Sequence, residues 1–184
     1  MIQYRKANLA DVPQLAELER KHVNAELTRH DPSLQGQGLT QAQLTQLINQ
    51  HWIILALEGA NIVGYVIAAQ WSFFGKQALY QRIIQKLPLL DIEQDGLPQR
   101  VNQDNSLQYG PIWIAEGHRG QGIFTQLVNQ LVLTIKQQSR YLVAYIAEDN
   151  GRSFKAHTQY AEMQVVDYFG FQQRDFYLLL RKLS

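Results

Sequence analysis

By pattern alone, residues 107–147 read as strand, helix, strand. Residues 107–114, L-Q-Y-G-P-I-W-I, read as a strand. Leu127, Leu131 and Ile135 then recur at four-residue spacing, which predicts a helix over 123–138, and Y-L-V-A-Y-I-A at 141–147 is a second apolar run. A strand, a helix and a strand in this order imply a parallel pair with a right-handed crossover.

The flanking sequence supplies the remaining layers. Residues 2–7 form a short strand; Asn8 or Asp11 can cap a helix, and Pro13 suits its first turn. Val12, Leu15, Ala16, Leu18, Val23 and Leu27 give that helix an apolar face, and His30-Asp31-Pro32 ends it. Gly36 and Gly38 mark a loop. Thr40 caps a second helix carrying Leu44, Leu47 and Ile48 on one face. Strands at 52–57 and 62–71, joined by E-G-A-N, make a hairpin. In 72–106, Leu79, Ile83, Ile84 and Leu87 predict a helix ending before Pro88; the polar segment I-E-Q-D-G-L-P-Q-R-V-N-Q-D-N reads as a loop. Asn150 caps a helix to about residue 161. Strands at 165–169 and 176–181, joined by G-F-Q-Q-R, close the chain. The expected fold is α/β (α+β): one domain over 1–184, a mixed sheet of about seven strands, about four helices, and an insert at 72–106.

Composition narrows the function. At 184 residues, 46% hydrophobic and 18% charged, the chain suits one well-filled globular domain. A net charge of +1 gives no support to a nucleic-acid or anionic-membrane footprint. The absence of cysteine excludes disulfides, thiolate nucleophiles and Cys-based metal sites. Five scattered histidines form no ligand spacing, so no metal is expected. The start, M-I-Q-Y-R-K-A-N, lacks a signal-peptide core, and no apolar run nears the ~20 residues of a membrane span. A cytoplasmic protein is expected. The closing hairpin presents an edge through which two copies could pair into a homodimer.

The chemistry concentrates in I-W-I-A-E-G-H-R-G-Q-G-I-F, where the first strand of the unit meets its helix. Backbone N–H groups at a helix start have no partner, and the helix dipole adds positive charge there. Gly120 and Gly122 let that backbone approach a bulky anion, so Arg119-Gly120-Gln121-Gly122 reads as a pyrophosphate cradle. The alternative is a tight turn that needs glycine for geometry alone. No Lys-Ser or Lys-Thr follows, which argues against a nucleoside triphosphate. Gly120, Gly122 and Glu148 fit part of a dinucleotide fingerprint, but too few residues follow for the repeated halves of such folds. Coenzyme A is the third pyrophosphate carrier.

E-G-H-R-G-Q-G-I-F resembles the acyl-CoA-binding segment of the GNAT superfamily of N-acetyltransferases. That pattern runs Arg or Gln, two residues, Gly, one residue, Gly or Ala. Arg119 and Gly122 fill the first two defined positions, and Gly120 matches the frequent R-G-x-G form. Phe124 stands where the pattern has a small residue; it either crowds the cradle or turns away and packs. N-G-R-S-F-K-A-H-T-Q-Y-A-E-M is similar to the family's fourth-helix segment, with Asn150, Ser153, Ala156 and His157 in place. The resemblance covers most of the chain; 72–106 has no counterpart in it.

The resemblance implies acetyl transfer from acetyl-CoA to a primary amine of a small molecule or peptide. It implies acyl-CoA contacts from the backbone of Ile112, Trp113 and Ile114, from Arg119, Gly120, Gln121, Gly122, Ile123 and Phe124, and from Asn150. An alkylamine of pKa near ~10.4 must lose a proton before it attacks. The developing oxyanion needs donors, and a thiolate of pKa near ~8.5 takes a proton as it leaves. His157 holds the family's acid position, with Tyr160 as the reserve, and Glu148 past a strand end is the base candidate. For each, packing, capping or solvation is the competing role. Trp71, Phe73 and Phe74 either line an acceptor pocket or pack in the core. Two further readings stay open: a non-catalytic acyl-CoA-binding domain, and a dinucleotide-dependent enzyme.

Overall fold

The computed structural model describes residues 1–30 and 38–183. The expected loop at Gly36 and helix stop at Asp31-Pro32 lie outside the described residues, as do the side chains of Val23 and Leu27.

Among the described residues, nine strands and six α-helices follow one another in chain order: β1 (Ile2–Lys6), α1 (Val12–His30), α2 (Gln41–Gln50), β2 (Trp52–Glu58), β3 (Asn61–Ala69), α3 (Trp71–Phe74), α4 (Ala78–Lys86), β4 (Ile92–Gln94), β5 (Leu97–Gln99), β6 (Ser106–Ile114), α5 (Ile123–Ile135), β7 (Tyr141–Ala147), α6 (Gly151–Tyr160), β8 (Gln164–Phe171) and β9 (Arg174–Lys182). Seven strands form one mixed sheet in the order β1-β2-β3-β6-β7-β9-β8. Only β6 and β7 pair in parallel, as the strand–helix–strand pattern requires; the other neighbours are antiparallel.

Helix starts follow capping chemistry. Asn8 accepts from Ala10 N–H at 2.9 Å while the Asp11 carboxylate accepts from Asn8 N–H at 2.7 Å, ordering a 3-10 turn that leads into α1. Thr40 and Gln43 exchange the same pair of bonds ahead of α2. Strand alternation then sends side chains to two cores. Leu15, Leu44, Leu47, Tyr65, Ile83 and Val143 occupy the core on the α1–α2–α4 side. Val66, Leu107, Leu127, Leu131 and Leu142 occupy the core on the α5–α6 side.

The chain departs from expectation at the entry to the insert and within it. The strand expected over 62–71 stops at Ala69, because Trp71 opens α3 and turns inward, where its indole N–H donates to Ser106 Oγ at 2.9 Å. The polar segment expected as a loop folds into the β4–β5 hairpin. Asp95 and Gly96 both have positive φ (52° and 76°), the twist a two-residue hairpin turn demands. At the other end of the chain, Gln172 and Gln173 (φ 48° and 63°) make a similar turn between β8 and β9, which extends both strands past the expected ends. No helix among the described residues is long and apolar enough to cross a membrane.

The placement of α5 can be checked directly. Leu131 is fully buried against the sheet and Leu133 faces solvent. Leu131→Ala is expected to cost about 2–5 kcal/mol in urea unfolding, and Leu133→Ala less than about 0.5 kcal/mol.

Candidate active site

β6 and β7 pair only from Ser106–Tyr141 to Gln108–Val143. Beyond that point β6 runs on to Ile114 held by β3, and β7 runs on to Ala147 held by β9. A bulge at Gly110–Pro111, opposite the register shift between Val66 and Ala68, bends β6 where the two strands part. The result is a fork in the middle of the sheet.

The backbone facing the fork follows from the ladder. Ala115 N–H donates to Val63 at 2.8 Å. Antiparallel pairing alternates, so Trp113 also spends its backbone groups on β3, while those of Ile112 and Ile114 face the fork. Of the three strand residues expected to hold a ligand arm, Ile112 and Ile114 therefore turn their N–H groups to the fork, and the Ile114 carbonyl accepts from Arg119. Trp113 turns its side chain to the α1 side, stacked on His22 with ring centroids 4.1 Å apart.

The mouth of the fork is the start of α5. Gly122 is its N-cap, in the left-handed conformation (φ 79°), and Gly120 is left-handed as well (φ 76°). Both positions are therefore strained for any residue with a Cβ, and no atom lies within 4 Å of where that Cβ would stand. The first helical bond runs from Gln126 N–H to the Gly122 carbonyl (3.1 Å). The N–H groups of Ile123, Phe124 and Thr125 precede it and point out of the helix end. The exposed Gln121 bonds Gly117 through its side chain. Arg119 does not reach outward: its Nε–H donates to the Ile114 carbonyl at 3.0 Å, and its backbone N–H donates to Glu116. Phe124 turns away from the cradle and packs edge-to-face on His157, with centroids 5.0 Å apart.

His157 lies inside the α5–α6 core at 3% exposure. Its Nδ1 is 2.7 Å from the Ser153 carbonyl, which can only accept, so Nδ1 carries the proton. Nε2 is then an acceptor and takes the hydroxyl hydrogen of Tyr109 at 3.1 Å. Burial holds the His157 pKa below its ordinary value, against an upward pull from Ser153, and pushes the Tyr109 phenol up. Tyr160, expected on the same face, is 56% exposed. Glu148 is exposed at the end of β7, on the same end of the sheet as the cradle. The neighbouring Tyr168 hydroxyl is pushed up to about 12, chiefly by its hydrogen bond to Glu148. The Asn150 side-chain oxygen caps α6 by accepting from Ser153 N–H at 3.2 Å, so the donor it can offer a ligand is its Nδ2. The structure thus gathers the strand, the glycines, the helix start, Glu148 and Asn150 at one end of the sheet. It seats His157 in the core and leaves Tyr160 at the surface.

Sequence reasoning missed two groups. Glu19 on α1 is 2% exposed and accepts from the Tyr65 hydroxyl and from Leu39 N–H (3.2 Å). Tyr65 pairs with Trp113 across β3 and β6. Tyr145 on β7 meets Tyr80 of the insert hydroxyl to hydroxyl at 3.2 Å. Glu19 stands four residues after Leu15 on a helix, a spacing that places it on the buried face. Phe73 and Phe74 pack on His51 and Tyr80, as core residues do.

The neutral His157 sets an acid dependence. An unfolded histidine binds its proton near pH ~6.5, and the folded one only at lower pH. The associated stability is present above ~6.5 and is lost as pH falls through the folded value. Urea unfolding should show stability dropping between pH 7 and 5, with a flatter dependence in His157→Gln.

No protein-family model and no curated protein matches the sequence. Solved structures match in fold. An N-acetyltransferase from Staphylococcus aureus Mu50 superposes with a TM-score of 0.65 at 17% identity, covering 100% of this chain and 99% of that one. An acetyltransferase of the GNAT family from Streptococcus pneumoniae gives 0.65 at 16%, covering 100% of both chains. Arabidopsis thaliana NAA60 in complex with acetyl-CoA gives 0.64 at 13%, covering 99% and 98%. The fold of this chain is that of these GNAT N-acetyltransferases.

Proposed function

We propose that the chain transfers an acetyl group from acetyl-CoA to a primary amine of a small molecule or peptide, by direct attack with both substrates bound. The observation that carries this reading is the fork: a sheet that opens between its two parallel strands and leads to a helix start with left-handed glycines. That donor set suits acetyl-CoA. The N–H groups of Ile123, Phe124 and Thr125, with open space above Gly120 and Gly122, would hold a pyrophosphate. The backbone of Ile112 and Ile114 would hold the arm, and Asn150 Nδ2 would reach it from β7's end. A protein of the same fold, NAA60, is seen with acetyl-CoA.

Acetyl-CoA supplies an activated acetyl thioester. The chain supplies orientation and charge stabilisation. Ile112 and Ile114 N–H groups lie along the fork as donors for a carbonyl oxygen gaining negative charge. Burial pushes the Tyr80, Tyr109 and Tyr145 phenols up, so at neutral pH they donate hydrogen bonds and do not act as bases. His157 acts through Tyr109, holding it on β6 where the fork begins. Glu148 and Tyr160 are the solvent-facing candidates for exchanging protons with amine and thiolate.

A second reading, a non-catalytic acyl-CoA-binding domain, draws support from the separation of His157, Tyr160 and Glu148: one buried, two exposed. Turnover with a panel of primary amines separates it from catalysis.

Thermal melting tests the shared premise. At ~100 times its Kd, acetyl-CoA or CoA should add ~2.7 kcal/mol, raising the midpoint by about 5–11 °C. NAD should leave it unchanged, and Gly122→Val should abolish the response. A shift with NAD and none with CoA would overturn the reading.

A further inference from the structure

We propose that Gln108 is the contact for the acceptor: its Oε1 accepts an N–H of a primary amine bound on the α1 side of the fork. The proposal rests on the acetyltransferase reading and assigns the amine's place within it. Gln108 is 2% exposed. Its Nε2 donates to the Tyr109 carbonyl at 2.7 Å. A carbonyl only accepts, so the carboxamide cannot be reversed and the remaining atom is the oxygen. Among the described residues, that oxygen is the buried side-chain polar atom with no hydrogen-bond partner. Buried acceptors in native proteins are overwhelmingly paired, and an unpaired one costs stability, a cost that a functional role would explain.

Its place identifies that use. Gln108 is the last residue of β6 paired with β7, opposite Val143, so it stands where the fork begins. Leu107 and Tyr109 point into the α5–α6 core, so alternation puts Gln108 on the opposite face. The carboxamide leans toward the C-terminal end of β6: Nε2 lies 3.9 Å from where a Cβ on Gly110 would stand. A ligand arm lying between β6 and β7 occupies the plane of the sheet. A nucleophile must approach a carbonyl from one face of that plane, and Gln108 stands on the α1 face.

The flanking chemistry selects the class of acceptor. Beyond Val143, the next β7 residue on this face is the half-buried Tyr145, joined to Tyr80; beyond Gln108, the next on β6 is the half-buried Trp113. A lone acceptor oxygen among aromatic rings suits an N–H donor on an apolar or aromatic stem, and the rings also favour its cationic form. Gln108 accepts from the ammonium and from the neutral amine alike. It takes no proton, and acts by holding the nitrogen in place.

The test is calorimetric titration of 2-phenylethylamine into protein saturated with CoA, which carries no acetyl group and permits no turnover. Gln108→Met keeps length and bulk and removes the acceptor. The variant should bind 2-phenylethylamine about 10- to 100-fold more weakly. It should bind trimethyl(2-phenylethyl)ammonium, which has no N–H, as well as wild type does, and CoA equally well. Equal loss of both amines, unchanged affinity for the primary amine, or weakened CoA binding would each overturn the proposal. If Gln108→Met does not fold, wild type alone decides: it must prefer the primary over the quaternary amine at least about tenfold, and no binding of 2-phenylethylamine at millimolar concentration counts against the proposal. If CoA fails to bind wild type, the acetyltransferase reading falls, and the amine titration without CoA still judges Gln108.

Discussion

The parallel pairing of β6 with β7, and its early end, is the constraint on which the site depends. A parallel ladder in mid-sheet is normally continuous and buried on both faces. Here it stops at Gln108–Val143, yet both strands continue, because each has an antiparallel neighbour on its outer side. β3 and β9 hold the two halves of the sheet while the bulge at Gly110–Pro111 bends β6 away. The inner edges, no longer paired to each other, are the feature that a ligand arm could complete.

Polar contacts pin the base of the fork from both faces. On the α5–α6 side, Tyr109 is tied to His157, which is tied to Ser153 and packed on Phe124. On the other side, Gln108 is tied to the Tyr109 carbonyl, and Trp71 to Ser106. His157 and Phe124 therefore make sense together. The ring that replaces the pattern's small residue fills the space beside a neutral, buried histidine and stays out of the cradle. The insert shares in the design, because Tyr80 reaches Tyr145 on β7 and Lys86 pairs with Asp167 on β8 at 2.5 Å.

Much of this was legible in the sequence. Four-residue leucine spacing located α5, Asn150 and Thr40 named their own helix starts, and glycines at 120 and 122 marked the left-handed turn. The β4–β5 hairpin was also readable, since Asp95-Gly96 is a strong two-residue turn signal; the surrounding polar residues obscured it because strands of three residues carry little apolar alternation. Trp71 misled because a tryptophan extending an apolar run looks like strand until its indole partner, Ser106, is known. The contacts of Glu19 and Tyr145 are set by neighbours far away in sequence, which local periodicity cannot report. The same holds for His157: motif position left an acid and a packed helix histidine both open, and its hydrogen bond to Tyr109 joins residues 48 positions apart.

Amide hydrogen exchange with and without CoA tests the central claim most directly. If the fork receives the cofactor arm, CoA should slow exchange at Ile112 and Ile114 and at Ile123, Phe124 and Thr125, and leave Trp113 and the β8–β9 hairpin unchanged. Unchanged exchange along β6 and α5, with protection appearing elsewhere in the chain, would contradict the account.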